Sequence, residues 1–300
     1  MLAPLIVFAY NRPLHLRETL SALVQNAEAK YSDLYIFIDG PKNEQGSEKT
    51  EEVFKVASGF SQGYFKNVEI IKSERNKGLA KSVISGVSEI INKYGKVIVT
   101  EDDSICSPHY LNFMNGALNY YGADENIWSV GGFTVPMVLP ENYDKDVIKT
   151  QRSSSYAWGT WKDRWNKIDW AMPDYKKFKF DLIARRKFNK WGQDKSSMLD
   201  DQMNGRINSW AIRFEYYMYK NNAYNILPTY SLIRCIGHDG SGTHSVVDNS
   251  ENDKFNVDLT KAKTVYKYEG VNIDERIRKN FCKFFKVSKI HLLKNFIRNI

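Results

Sequence analysis

Short apolar runs alternate with stretches of helical period through the first third of this chain, and the runs end in polar or charged residues. Leu5–Tyr10 is the first run, and Asn11-Arg12 follows it. From Pro13 to about Asn26 the apolar residues Leu16, Leu20, Leu23 and Val24 fall on one helical face. Pro13 suits the first turn of that helix, where a missing N–H costs nothing. Leu34–Ile38 is the second run and stops at the turn signal Asp39-Gly40-Pro41. Val68–Ile71 is the third. A helix from about Leu79 to Asn92 leads into the fourth, Lys96–Thr100, which ends in Glu101-Asp102-Asp103. Ser107-Pro108 reads as the N-cap and first residue of a helix to about Tyr121. Such alternation predicts an α/β fold with a mostly parallel central sheet covered on both faces. Sheets of this kind bind ligands beyond the carboxyl ends of their strands. Asn11-Arg12, Asp39 and Glu101-Asp102-Asp103 all fall at such ends, and that convergence says more than any one of them.

Three adjacent carboxylates at a strand end repel one another. Water can solvate them, or a cation can sit among them. Carboxylate oxygens are hard ligands and favour Mg²⁺ or Mn²⁺ over zinc. An arbitrary Glu-Asp-Asp is most often a solvated acidic turn; its place beside the other polar strand ends argues for a binding site.

From Trp128 onward the pattern is irregular and rich in aromatics, including Trp158, Trp161, Trp165, Trp170, Trp191 and Trp210. Most of these belong in a core. A few could stack on the apolar faces of pyranose rings, and Trp158, Trp161 and Trp210 are the candidates for a sugar pocket. The expected organisation is a ligand-binding half over residues 1–125, an aromatic-rich second half of the same domain over 126–260, and a tail over 261–300. The formal charge is +8. Residues 276–300 hold eight Lys/Arg and no acid, which leaves 35 basic and 35 acidic side chains in the rest. The basic balance therefore reports the tail, and a nucleic-acid role for the main body is not expected. In the tail Phe281, Phe284, Phe285, Ile290, Leu292, Leu293, Phe296 and Ile297 interleave with the basic residues. That pattern fits a helix lying on an anionic membrane, the reading favoured here, which would make the protein peripheral to a membrane, or else a helix packed on the body with a solvated basic face. No apolar run is long enough to cross a bilayer. Three widely spaced cysteines point to free thiols rather than a disulfide framework.

An ordered set of segments carries a family resemblance. They are Pro4–Pro13, Phe37–Lys42, Arg75–Ser82, Val99–Asp103, Ala157–Trp165, Ser209–Arg213 and Ile236–His244. Together they resemble a bacterial GT-A-fold, family 2-like glycosyltransferase, related to the eukaryotic mannose-directed β-1,2-N-acetylglucosaminyltransferases. The resemblance covers roughly residues 4–245 and leaves out the tail. It implies a UDP-sugar donor bound by the first half, and a saccharide acceptor on a lipid-linked surface glycan. Tyr10, Asn11 and Arg12 would contact the nucleotide, and Asp39 would accept from uracil N3–H. Arg75 would pair with a phosphate or the nucleotide, or else serve as a surface or capping arginine. Asp103 would be the direct ligand of Mn²⁺ or Mg²⁺, with Asp102 on the ribose or sugar. Ser241 and His244, in a glycine-bearing loop, would meet the diphosphate or the metal.

An inverting transferase of this type needs a carboxylate to take the acceptor's proton. The resemblance leads one to expect Asp just before Ser209-Trp210, but the residue there is Asn208. Asp200 and Asp201 are the nearest alternatives, with Asp163 and Glu215 behind them. Two other readings stay open: a sugar nucleotidyltransferase, against which stands the lack of a Gly-rich triphosphate loop after the first strand, and a non-catalytic nucleotide-sugar-binding relative.

Overall fold

The computed structural model describes residues 2–241, 255 and 257–287. The first half runs β1 (Leu5–Ala9), α1 (Pro13–Val24), β2 (Asp33–Ile38), α2 (Glu44–Ser58), β3 (Asn67–Lys72), α3 (Leu79–Tyr94), β4 (Lys96–Glu101), β5 (Ser104–Cys106) and α4 (Tyr110–Tyr120). The second continues with β6 (Ile127–Gly131), β7 (Val147–Thr150), β8 (Trp158–Trp161), α5 (Lys162–Trp165), α6 (Tyr175–Phe180), α7 (Leu182–Phe188), α8 (Lys195–Met203), α9 (Trp210–Lys220), β9 (Tyr224–Pro228), β10 (Ile233–Cys235) and α10 (Glu275–Phe284). The large sheet has the order β3-β2-β1-β4-β8-β6-β9-β7, and β5 and β10 form a small antiparallel pair. β3, β2, β1 and β4 are mutually parallel, as is β6 with β9, so the sheet is mostly parallel. β8 runs antiparallel to both β4 and β6.

β1 is buried along its whole length, as a central parallel strand covered on both faces must be. Its side chains alternate between two cores. Leu5, Val7 and Ala9 pack with Leu16, Leu20 and Leu23 of α1. Ile6 and Phe8 point the other way, towards Ala80, Val83, Val87, Ile90 and Ile91 of α3. That α3 stripe recurs every three to four residues, the spacing of one helical face. Gly86 sits on it because a Cβ there would come within about 3.0 Å of the Phe8 ring.

One boundary and one whole helix differ from the sequence expectation. The helix after Ser107-Pro108 starts at Tyr110; Ser107 Oγ instead accepts from the His109 N–H at 3.3 Å in the preceding turn. The crossover helix α2 was not anticipated. It is rich in charge, buries Thr50, Val53, Val56 and Ala57, and is capped by Asn43, which accepts from Gly46 N–H at 2.9 Å.

α10 packs on the body. Ile277 and Phe281 are buried, and Phe281 meets Trp191 edge-on with ring centroids 5.7 Å apart. Arg278 donates to the Lys190 carbonyl and Asn280 to the Val138 carbonyl. The apolar side of this part of the tail is thus turned inward, which differs from a helix laid flat on lipid. Residues 288–300 lie outside the described residues. No described helix is long and apolar enough to cross a membrane.

Candidate active site

Register brings the three polar strand ends to one edge. Ala9 pairs with Ile38 and Phe8 with Glu101, so the residues after β1, β2 and β4 emerge side by side. They line a cavity of about 820 Å³. Tyr10, Asn11, Arg12, Asp39, Asp102 and Asp103 all stand in its wall.

Arg12 is the resident cation of the acidic triplet. Its guanidinium donates to Asp102 Oδ1 and, at 2.9 Å, to Asp103 Oδ2. Thr19 of α1 adds a bond to the Asp102 carbonyl at 2.7 Å, tying the turn to the helix. Burial works against the Arg12 charge, but Asp102 and Asp103 outweigh it and raise its pKa. One guanidinium does not balance three carboxylates. Burial, then Asp103 and Asp102, push Glu101 up to about 8 despite Arg12. Burial also carries Asp102 up to about 6, with Arg12 opposing. Gly237 closes over this cluster at van der Waals range: a Cβ there would lie 2.1 Å from Asp103 Oδ2.

The donor set suits an oxygen-seeking divalent ion, because Asp103 offers a half-buried carboxylate at the cavity wall in a region of surplus negative charge. No group of three His, Cys, Asp or Glu side chains is arranged to cage a metal among the described residues. An ion here would take a carboxylate and complete its shell with phosphate and water oxygens, the usual habit of Mg²⁺.

Asp39 is engaged differently from the expectation. Oδ1 accepts from Gly40 N–H at 2.9 Å and Lys77 N–H at 2.8 Å; Oδ2 accepts from Gly78 N–H at 2.9 Å and the Asn76 amide at 3.3 Å. Its lone pairs are spent holding the loop that leads into α3, and uracil N3–H would have to displace one of these donors. Arg75 enters the site only as backbone: a Cβ on Gly40 would lie 2.4 Å from the Arg75 carbonyl carbon. Its side chain is exposed, and Asn76 and Lys77 line the cavity instead. With Lys42 and the N-terminus of α3 at Gly78-Leu79, Lys77 makes this wall electropositive. Sequence reasoning singled out neither lysine, although both lie within quoted segments.

Of the four carboxylates weighed as the base, only Asp201 lines the cavity. Asp200 is buried and gripped by Arg185, at 2.9 and 2.6 Å, and by Tyr175 at 3.0 Å, so it serves the core. Asp163 pairs with its neighbour Arg164. Glu215 is buried beside Lys195 Nζ at 3.1 Å. Asp201 accepts from Arg206 Nε at 2.6 Å. α8 ends at Met203, and Gly205 at φ +71° turns the chain, so no unbroken helix joins Asp201 to Asn208. Asn208 also lines the cavity, its amide 3.0 Å from where a Gly78 Cβ would be.

Among the tryptophans only Trp210 reaches the cavity. It stacks on Trp158, centroids 4.4 Å apart, and Trp158 is buried beneath it. Trp161 pairs with Lys96 at the far end of β4 and donates to the Leu118 carbonyl, remote from the site. Trp158 and Trp161 are therefore core residues, and Phe8, Tyr10, Tyr156 and His238 add further aromatic lining. Ser241 lines the cavity and bonds Asp239 Oδ1 through both its N–H and its hydroxyl. His244 lies outside the described residues.

Residues 5–180 match the family described as Glycosyl transferase family 2, which is more than half of the chain. The chain belongs to that family, a class of enzymes that transfer a sugar to an acceptor. Among solved structures it is similar to residues 1–349 of S. aureus TarS, at 12% identity and a TM-score of 0.44, over 78% of this chain and 60% of that one. The same fragment in complex with UDP-GlcNAc matches at 14% identity and a TM-score of 0.40, over 56% of this chain and 47% of that one. This chain thus spans less than two thirds of those fragments. No curated protein matches it.

Proposed function

We propose that this protein moves a sugar from a nucleoside-diphosphate sugar, a UDP-sugar, to a hydroxyl of a saccharide acceptor carried on a lipid at the cytoplasmic face of a bacterial membrane. The observation that supports it is one cavity lined both by the polar ends of parallel strands, with Arg12 and Asp103, and by a separate carboxylate, Asp201. The electropositive wall of Lys42, Lys77 and the α3 N-terminus suits a diphosphate. Asp103 would hold Mn²⁺ or Mg²⁺, which supplies Lewis-acid neutralisation of charge on the departing diphosphate. Arg12 orients Asp103 and Asp102 and keeps both in the charged network. The acceptor oxygen attacks the anomeric carbon, the bond to the diphosphate breaks, and Asp201 takes the hydroxyl proton. Trp210 offers an aromatic edge to the sugar or acceptor.

The test is a screen of nucleotide sugars for divalent-dependent hydrolysis and for transfer to a saccharide acceptor. Turnover with one uridine donor supports the reading. A donor-binding relative without turnover is the second reading, and Asn208 at the cavity favours it. Tight divalent-dependent UDP binding with no hydrolysis of any donor would select it.

A further inference from the structure

The corner between α6 and α7 breaks the rule that large apolar side chains avoid water. Phe180 is 78% exposed, Leu182 73% and Ile183 71%, and only Asp181 separates them in the chain. The corner itself is firmly built. Tyr175 and Phe178 of α6 and Phe188 of α7 are buried in the core, and Asp181 caps α7 by accepting from Ala184 N–H at 2.8 Å. The apolar tip is therefore presented by a rigid support. Lys179 Nζ lies 5.6 Å from the Phe180 ring centroid, and Lys176 and Lys177 of α6 and Arg186 and Lys187 of α7 are all exposed and form no ion pair among the described residues. Residues 175–190 hold seven Lys/Arg against one acid.

We propose that this corner is the chain's docking site on an anionic lipid surface. Phe180, Leu182 and Ile183 enter the boundary between headgroups and acyl chains, and the four cations meet the lipid phosphates. An apolar tip between two helices that carry uncompensated positive charge matches such a surface in both respects. It matches a second copy of this chain poorly, since like charge would face like charge. The alternative anchor, α10, has turned Ile277 and Phe281 inward and has no comparable tip. The corner also touches the cavity wall: Arg185 of α7 grips Asp200, and the next residue is Asp201. A docked corner would bring a lipid-borne acceptor to that side. This last point rests on the function proposed above; the docking itself does not.

The test is co-sedimentation of the full chain with phosphatidylcholine vesicles, with and without phosphatidylglycerol, in the absence of donor and acceptor. Failure here is thus separable from failure of the transferase reading. Binding should require the anionic lipid and weaken with salt. The triple change Phe180→Ser, Leu182→Ser, Ile183→Ser should lower the partition coefficient at least ~10-fold. Changing Lys176, Lys177, Arg186 and Lys187 to Glu should abolish binding. Both variants should keep the wild-type circular dichroism and thermal midpoint, because the altered side chains are exposed. The proposal is overturned if the wild type ignores anionic vesicles, if the triple variant binds as wild type does, if a chain ending at Val287 loses binding while the corner is intact, or if light scattering shows that the triple change only dissolves a self-association.

Discussion

At the residue scale, the triplet turn is held by an imbalance of charge, and this has a measurable sign. Glu101, raised to about 8, keeps its proton in the fold over a range where the unfolded chain has released it at about 4.3. The groups that face it are Asp103, Asp102 and Arg12. The folded state binds more protons, so stability is greatest below the unfolded pKa and falls as pH rises towards 8, by at most about 1.4 kcal/mol per pH unit per proton. In metal-free buffer the thermal midpoint should drop between pH 5 and 8, and Glu101→Gln should flatten that slope. An unchanged slope would mean that another group sets it. Asp201 carries a second expectation. Asp201→Asn should lower the transfer rate ~10²–10⁴-fold, the usual worth of a general base, and leave UDP affinity near wild type. Rate assays and calorimetry on one preparation decide it; a variant that retains full transfer would remove Asp201 from the mechanism.

At the element scale, α10 acts as a strap on the second half of the chain. Its N-cap Asp274 accepts from Arg276 and Ile277 N–H, and Phe281 fills a slot against Trp191. Phe281→Ala should cost roughly 3 kcal/mol of stability by leaving a cavity, measured by urea denaturation. A loss below about 1 kcal/mol would mean that the helix is only loosely seated. Elements whose apolar residues follow a clear period were legible from sequence: β1, β2, β4 and α3 fall within two residues of their expected bounds. α2 was not legible, since a charge-rich helix that buries only four side chains carries little periodic signal. The inward turn of Ile277 and Phe281 was not legible either. An amphipathic stripe looks the same whether its partner is lipid or Trp191.

At the scale of the whole molecule, the strand-end side of the site could be read because parallel-sheet topology forces polar strand ends together. Arg12, Asp102 and Asp103 are neighbours in space for that reason, across about 90 residues of chain. The side of the cavity formed by α8 could not be read so far. Asp200 and Asp201 are adjacent, and only the packing of α7 on α8 decides that the first meets Arg185 and the second the cavity. Trp158 and Trp210 are both buried in one stack, and only Trp210 borders the cavity. The central claim is that this cavity is a divalent-assisted site for a nucleoside diphosphate. Its most direct test is calorimetric titration of UDP into the full-length protein, with and without Mn²⁺, beside Asp103→Ala. The account predicts one UDP per chain, bound in the presence of Mn²⁺ and weakened at least ~100-fold both without the ion and in the variant. Undiminished Mn²⁺-dependent binding by Asp103→Ala, or no UDP binding by the wild type under any condition, would contradict it.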